Sequence, residues 1–146
     1  MPKNIFMNNE KIFVDANYFL ALYNSADNLY QESQRIARRL GKTCELITSN
    51  YVFSEIVTIF SQRVGRVEAI ALGEALLNNE LLKIIQINEF LHAKTWEIFR
   101  QIKKKNMSFV DCSSLCLMDF FDIRCLLSFD RADFSGLQKK FGYRLV

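Results

Sequence analysis

Four acidic residues stand out in this chain of 146 residues because each lies alone in apolar sequence. No other charged residue occurs in the windows around them, which are residues 12–26, 46–62, 106–118 and 125–130. Burying an unpaired carboxylate costs several kcal/mol, and these windows contain no lysine or arginine to pair with it. We therefore expect a divalent cation to bring the four together, and oxygen ligands favour Mg²⁺ or Mn²⁺. The candidate ligands are Asp15, Glu55, Asp111 and Asp130.

Taken singly, three of these acids also have a structural interpretation. Asp15 could form an Asx turn or a cap, Asp111 could cap a helix, and Asp130 could begin a turn. Glu55 is harder to explain in this way, because it lies inside an apolar helical pattern. Four independent structural roles would be a coincidence, so the metal-binding interpretation is preferred.

The elements that must position these acids alternate between strand and helix patterns. Strands are predicted over 11–15, 44–48, 82–87, 123–129 and 143–146. Helices are predicted from Asp27 to a stop at Gly41, over 50–65, 67–77, 89–105 and 109–121, and in a short segment before Gly142. This alternation predicts a three-layer α/β/α fold with a central parallel sheet and helices on both faces.

That fold would place the acids at one edge of the sheet. Asp15 and Asp130 follow predicted strands, and ligands of open α/β sheets bind outside the carboxyl ends of the strands. Glu55 and Asp111 would reach the same crevice from the first turns of their helices. Trp96 and the phenylalanines match the helical and strand periodicity and are predicted to be core.

Composition and residue spacing argue against several other classes of protein and of active site. The length and a hydrophobic content of 50% fit one domain over residues 1–146, and no apolar stretch is long enough to span a membrane. A cytoplasmic location is the default expectation. The cysteines form no CxxC pair, which argues for reduced thiols and against a zinc site. His92 is the only histidine and Ser113 has no base near it in sequence, so paired-histidine and nucleophilic serine catalysis are not indicated.

Four segments resemble the acidic motifs of PIN-domain nucleases, in the same order and at a similar domain length. They are VDANYFLAL, TSNYVFSEIV, SFVDCSSL and LLSFDRADF. By this resemblance Asp15, Glu55 and Asp111 match the first three acids of the family. Asp130 matches the fourth, with Asp133 able to share or replace its role. Supporting positions are Asn17 and Ser128.

The resemblance implies a metal-dependent endoribonuclease that hydrolyses phosphodiester bonds of single-stranded or structured RNA with one or two Mg²⁺ or Mn²⁺ ions. At this size the chain is similar to the VapC toxins of VapBC toxin–antitoxin pairs, which implies a homodimer and an antitoxin partner. A stand-alone RNA-processing nuclease and a non-cleaving PIN-like module that binds RNA or protein are the alternatives. The basic residues expected to hold the RNA backbone are Arg35, Arg38, Lys103 and Arg131.

Two phosphoryl-transfer classes fit less well. A haloacid-dehalogenase-type domain requires a DxD pair after its first strand, where this chain has Asp15-Ala16-Asn17. A receiver domain requires paired acids after the first strand and a lysine after the last one, and neither is evident. Both are ranked below the nuclease.

Overall fold

A single parallel sheet of five strands forms the centre of the molecule. The computed structural model describes residues 6–7, 9–40 and 44–146. The strand order is β3-β2-β1-β4-β5, and all the pairings are parallel. The strands are β1 (Lys11–Val14), β2 (Glu45–Ser49), β3 (Leu82–Ile85), β4 (Cys125–Leu127) and β5 (Arg144–Leu145). The central strands β1 and β4 are almost wholly buried, which explains why they are continuous apolar runs.

Helices connect the strands and cover the sheet. They are α1 (Ala16–Leu22), α2 (Tyr30–Arg39), α3 (Asn50–Arg63), α4 (Arg66–Leu77), α5 (Glu89–Gln101), α6 (Phe109–Phe120), α7 (Arg131–Phe134) and α8 (Gln138–Phe141), with a 3₁₀ turn at Ser135–Leu137. The chain moves outward from β1 to β3 and then returns to β4 on the other side of β1. Right-handed crossovers therefore place α1–α4 on one face and α5–α8 on the other.

The reversal of strand order opens a crevice between β1 and β4. Beyond the carboxyl ends of these two strands, their following segments diverge to opposite faces of the sheet, which is where open α/β sheets bind ligands. The register pairs Val14 with Leu127, so the residues that follow these strands face one another. The topology thus defines one edge of the sheet as the candidate site.

The predicted three-layer fold is confirmed, while several predicted boundaries were too long. The helix predicted over 89–105 ends at Gln101, and the strand predicted over 123–129 is reduced to Cys125–Leu127. The predicted helix stop at Gly41 lies outside the described residues. None of the described helices is long and apolar enough to cross a membrane.

The prediction that Trp96 and the phenylalanines are core was wrong for part of the set. The side chain of Trp96 is 50% exposed, and Phe90, Phe99, Phe120 and Phe121 are also exposed. Periodicity identifies the apolar residues of a helix, but it does not say how wide a face the tertiary structure covers.

Candidate active site

Asp15 is the most deeply buried of the four predicted acids, with only 5% of its surface exposed. It follows β1 directly and caps α1, where its Oδ1 accepts a hydrogen bond from the main-chain N of Ala16 at 2.8 Å. Its Oδ2 accepts a second hydrogen bond from the Ser128 hydroxyl, also at 2.8 Å. The carboxylate is therefore held in one orientation at the mouth of the crevice.

Ser128 and Asn17 connect the two strands at this point. The Ser128 Oγ accepts from the main-chain N of Asp130 at 3.0 Å, in addition to donating to Asp15. The Asn17 Oδ1 accepts from the main-chain N of Phe129 at 3.0 Å. These bonds hold the segment after β4 against the beginning of α1.

Glu55 approaches the crevice from the second turn of α3, one turn further along the helix than predicted. Ser49 caps this helix by accepting from the main-chain N of Val52 at 3.1 Å, and Thr48 donates to the main-chain oxygen of Val14 at 2.9 Å. These contacts tie the start of α3 to β1. The Oε2 atom of Glu55 is buried and has no hydrogen-bond partner, which is costly unless another group binds it.

Asp111 lies in the first turn of α6, as predicted, and forms a capping box with Ser108. The Ser108 Oγ accepts from the main-chain N of Asp111 at 3.0 Å, and the Asp111 Oδ2 accepts from the main-chain N of Ser108 at 3.0 Å. This reciprocal pair leaves the second carboxylate oxygen of Asp111 outside the box.

Asp130 and Asp133 occupy the start of α7. Asp130 is the N-cap residue of this helix, three positions beyond the end of β4 and not directly after it, and Asp133 is in the first turn. The Nζ of Lys104 donates to the main-chain oxygens of Ala132 and Asp133, at 3.4 and 3.1 Å. A long-range contact therefore supports this short helix.

Electrostatic interactions show that these carboxylates lie within range of one another. Burial raises the pKa of Asp15 from 3.8 to about 7, the Ser128 hydrogen bond opposes this shift, and the charges of Asp111 and Glu55 add to it. Burial is also the main cause of the raised pKa of Glu55, with the charge of Asp111 second. Asp111 thus interacts with both of the other buried acids.

Besides burial, a further acid, Asp133, raises the pKa values of Asp111 and Asp130. The pKa of Asp111 is raised by burial and by the charge of Asp133, against the lowering effect of its hydrogen bonds with Ser108. The pKa of Asp130 is raised by burial, then by Asp133 and by Asp111. The charge of Asp133 thus acts on both Asp111 and Asp130, and the five carboxylates share one edge of the sheet.

None of these acids is ion-paired within the described part of the chain, where the ion pairs join Arg35 to Glu32, Arg100 to Glu97, Arg124 to Asp122 and Arg144 to Glu10. Over the same residues, no three His, Cys, Asp or Glu side chains are already arranged to hold a metal ion. The donor set is nevertheless all oxygen, and the unpartnered Oε2 of Glu55 is part of it. The residue types fit a hard divalent cation, and holding one would require these side chains to move closer together.

The four basic residues that were predicted to contact RNA do not all lie on one element and do not form one cluster. Arg35 lies on α2 and is paired with Glu32, and Arg38 is exposed on the same helix. Lys103 lies beyond the end of α5. Arg131 is the first residue of α7, next to Asp130. Of the four, only Arg131 is adjacent in the chain to a candidate ligand.

Sequence reasoning missed several residues that shape this site. Ser108 was detectable, because a serine three residues before an acid at the start of an apolar run is a capping-box pattern. Thr48 had no such signal for its role, because its hydrogen bond joins two strands. The aromatic residues Tyr51 and Phe109, which lie close to Glu55 and Asp111 in the chain, were not distinguished from core residues.

Sequence comparison with known proteins finds a matching domain profile and a similar protein. The sequence profile described as "PIN domain" matches residues 12–140. The "23S rRNA-specific endonuclease VapC20" of Mycobacterium tuberculosis (strain CDC 1551 / Oshkosh) is 29% identical over 125 residues, which are 86% of this chain and 92% of that protein.

Solved structures agree in fold. The crystal structure of Mycobacterium tuberculosis VapC20, described as a sarcin-ricin loop cleaving toxin, has a TM-score of 0.78 and 27% identity, and the match covers 86% of this chain and 93% of that one. The VapBC2 structure from Rickettsia felis, bound to a promoter DNA fragment, has a TM-score of 0.66 over 93% of this chain and 97% of that one. Its identity is only 14%, so it supports the fold alone.

Proposed function

Since the chain belongs to the PIN domain family, we propose that it is an endoribonuclease whose active site is formed by Asp15, Glu55, Asp111 and Asp130, with Asp133 beside them. The observation that carries this proposal is the group of carboxylates with raised pKa values, at the crevice between β1 and β4, without basic partners among the described residues. The 23S rRNA-specific relative supports RNA as the substrate.

The proposed cofactor is Mg²⁺ or Mn²⁺, held by Asp15, Glu55, Asp111 and Asp130. Such an ion supplies a water molecule of lowered pKa and positive charge for the scissile phosphate. The chain's own residues orient the ligands. Ser128 holds Asp15, Ser108 holds one oxygen of Asp111, and Asn17 keeps the segment after β4 in place.

The proposed biological context is a toxin–antitoxin pair. Relatives in known structures include a toxin–antitoxin complex from Klebsiella pneumoniae, which supports an antitoxin as the partner. We further propose a homodimer acting in the cytoplasm. Sedimentation of the purified chain, alone and with the product of an adjacent small reading frame, tests both assemblies.

Cleavage assays test the activity. Single-stranded RNA and an RNA stem-loop are incubated with the protein in Mn²⁺ or in EDTA, and Asp15→Asn and Asp111→Asn are compared with the wild type. We expect EDTA and both substitutions to abolish cleavage. The matched control is Asp119→Asn, an exposed acid on the same helix as Asp111, which should cleave normally. RNA binding without cleavage by the wild type would instead indicate a non-cleaving binding module.

A further inference from the structure

Aromatic side chains that are exposed at one end and half-buried at the other form a row along one side of α5 and onto the starts of α3 and α6. We name them the aromatic row, and its members are Trp96, Phe99, Phe109, His92 and Tyr51. Trp96 and Phe99 are stacked at a centroid distance of 5.7 Å with 17° between their planes. Phe109 lies 5.9 Å from Phe99 and 5.1 Å from His92, and Tyr51 follows at 6.3 Å from Phe109. The row is therefore continuous from ring to ring.

The inner end of the row lies on the helices that carry two of the candidate acids. Phe109 is the first residue of α6, two positions before Asp111. Tyr51 lies four positions before Glu55 on α3, so the two side chains share one face of that helix. A molecule lying along the row as far as Tyr51 would thus approach Glu55, one of the acids to which we assign cleavage.

The outer end of the row is exposed and lies beside basic residues. Trp96 is 50% exposed and Phe99 is 39% exposed. Phe99 also lines a pocket of about 170 Å³ together with the run Lys103, Lys104 and Lys105. Aromatic rings interleaved with cations are the combination that binds single-stranded nucleic acid, since bases stack on the rings and phosphates lie against the cations.

We propose that the aromatic row binds unpaired bases of single-stranded RNA and leads the strand to the cleavage site. This inference rests on the proposed nuclease function and adds the binding surface to it. RNA is favoured over a protein partner because lysine is depleted from the centres of protein interfaces, whereas here a lysine run adjoins the rings. The position of Tyr51 on the same face of α3 as Glu55 points the same way.

A second set of exposed aromatic residues provides an internal control. Phe90 lies at the start of α5, and Phe120 and Phe121 lie at the end of α6, with centroid distances of 5.9 Å for Phe90–Phe120 and 5.0 Å for Phe120–Phe121. Phe90 and Phe120 are as exposed as Trp96, at 55% and 51%. These phenylalanines are exposed aromatic rings like those of the row, but their ring contacts are with one another and not with members of the row.

Because Trp96 is the only tryptophan in the chain, its fluorescence reports directly on stacking. Wild-type protein in EDTA, where cleavage is not expected, is titrated with a short single-stranded RNA of mixed sequence and with a duplex of the same sequence. We expect the single strand to quench the tryptophan emission and the duplex to quench it far less. Unchanged emission with RNA bound would overturn the proposal.

Binding of fluorescently labelled single-stranded RNA to variants provides the second readout. Trp96→Ala and Phe99→Ala should each weaken binding by roughly five- to hundredfold. Trp96→Phe should restore most of the affinity, and Phe90→Ala should bind like the wild type. Equal losses in Phe90→Ala and Trp96→Ala would reject a specific role for the row.

Sedimentation of the same variants tests whether a second copy of the chain, and not RNA, occupies this surface. If Trp96→Ala converts a dimer to a monomer and leaves RNA affinity unchanged, the row is a contact between copies of the chain and the proposal is wrong. Failure of the nuclease assignment is separable, because it appears as absent cleavage by wild-type protein in Mn²⁺. Cleavage with no tryptophan quenching would reject the aromatic row alone.

Discussion

The hydroxyl of Ser128 donates to the Oδ2 of Asp15 across 113 positions of sequence, at 2.8 Å. The Ser128 Oγ also accepts a hydrogen bond from the main-chain N of Asp130, so one small side chain orients two of the proposed metal ligands. Burial raises the pKa of Asp15, and the hydrogen bond from Ser128 to Asp15 is the interaction that opposes this rise most strongly. The proposed active site therefore depends on a residue that has no charge.

Replacing Ser128 by alanine should impair cleavage more than it impairs folding. Loss of the hydrogen bond raises the pKa of Asp15 further, so the rise of the cleavage rate with pH should move to higher pH. The stability loss should be about 2–3 kcal/mol, because the hydroxyl makes two hydrogen bonds, one of them to a buried carboxylate. A pH–rate profile in Mn²⁺ measures the shift, and Ser128→Thr, which keeps the hydroxyl, is the control. An unshifted profile would argue against this role of Ser128.

The metal-free protein should become less stable as the pH rises from about 4 to about 7. In this range the folded state keeps the proton of Asp15, whose pKa is about 7, while the unfolded state has lost it. The free energy of unfolding therefore falls with pH and levels off above the folded-state pKa, by on the order of 4 kcal/mol at most. The raised pKa values of Glu55 and Asp111 act in the same direction.

Urea denaturation in EDTA at pH 5 and pH 8 measures this dependence. Asp15→Asn keeps a residue that can cap α1 and removes the buried charge, so it should be more stable than the wild type at pH 8 and show a smaller pH dependence. Asp119→Asn should keep the wild-type dependence. Stability that rises with pH over this range would contradict the assignment of a raised pKa to Asp15.

Adding Mn²⁺ should stabilise the protein and release protons. A cation removes the mutual repulsion of the carboxylates, and binding only to the folded state raises the thermal midpoint. Because the ligands must be ionised, binding at pH 6 should be weaker than at pH 8 and should release up to about one proton from Asp15. Calorimetric titration in two buffers of different ionisation enthalpy counts the protons. A thermal midpoint that does not respond to Mn²⁺ would count against a metal site at these residues.

The sequence by itself determined the strand and helix alternation, the parallel three-layer fold and the identity of the isolated acids. These features follow from local patterns. Asp15, Glu55 and Asp111 are detectable because burial in apolar segments excludes other charges from their neighbourhood. Their positions relative to strand ends and helix starts then follow from periodicity and capping.

Tertiary structure alone decided which residues meet. The return of the chain from β3 to β4 beside β1 brings Ser128 to Asp15, and no local pattern encodes that pairing. It also decided that Trp96 is exposed, because a helix's apolar face is wider than the area its neighbours cover. Local sequence sets the pattern of a segment, whereas exposure and long-range contacts depend on how the whole chain packs.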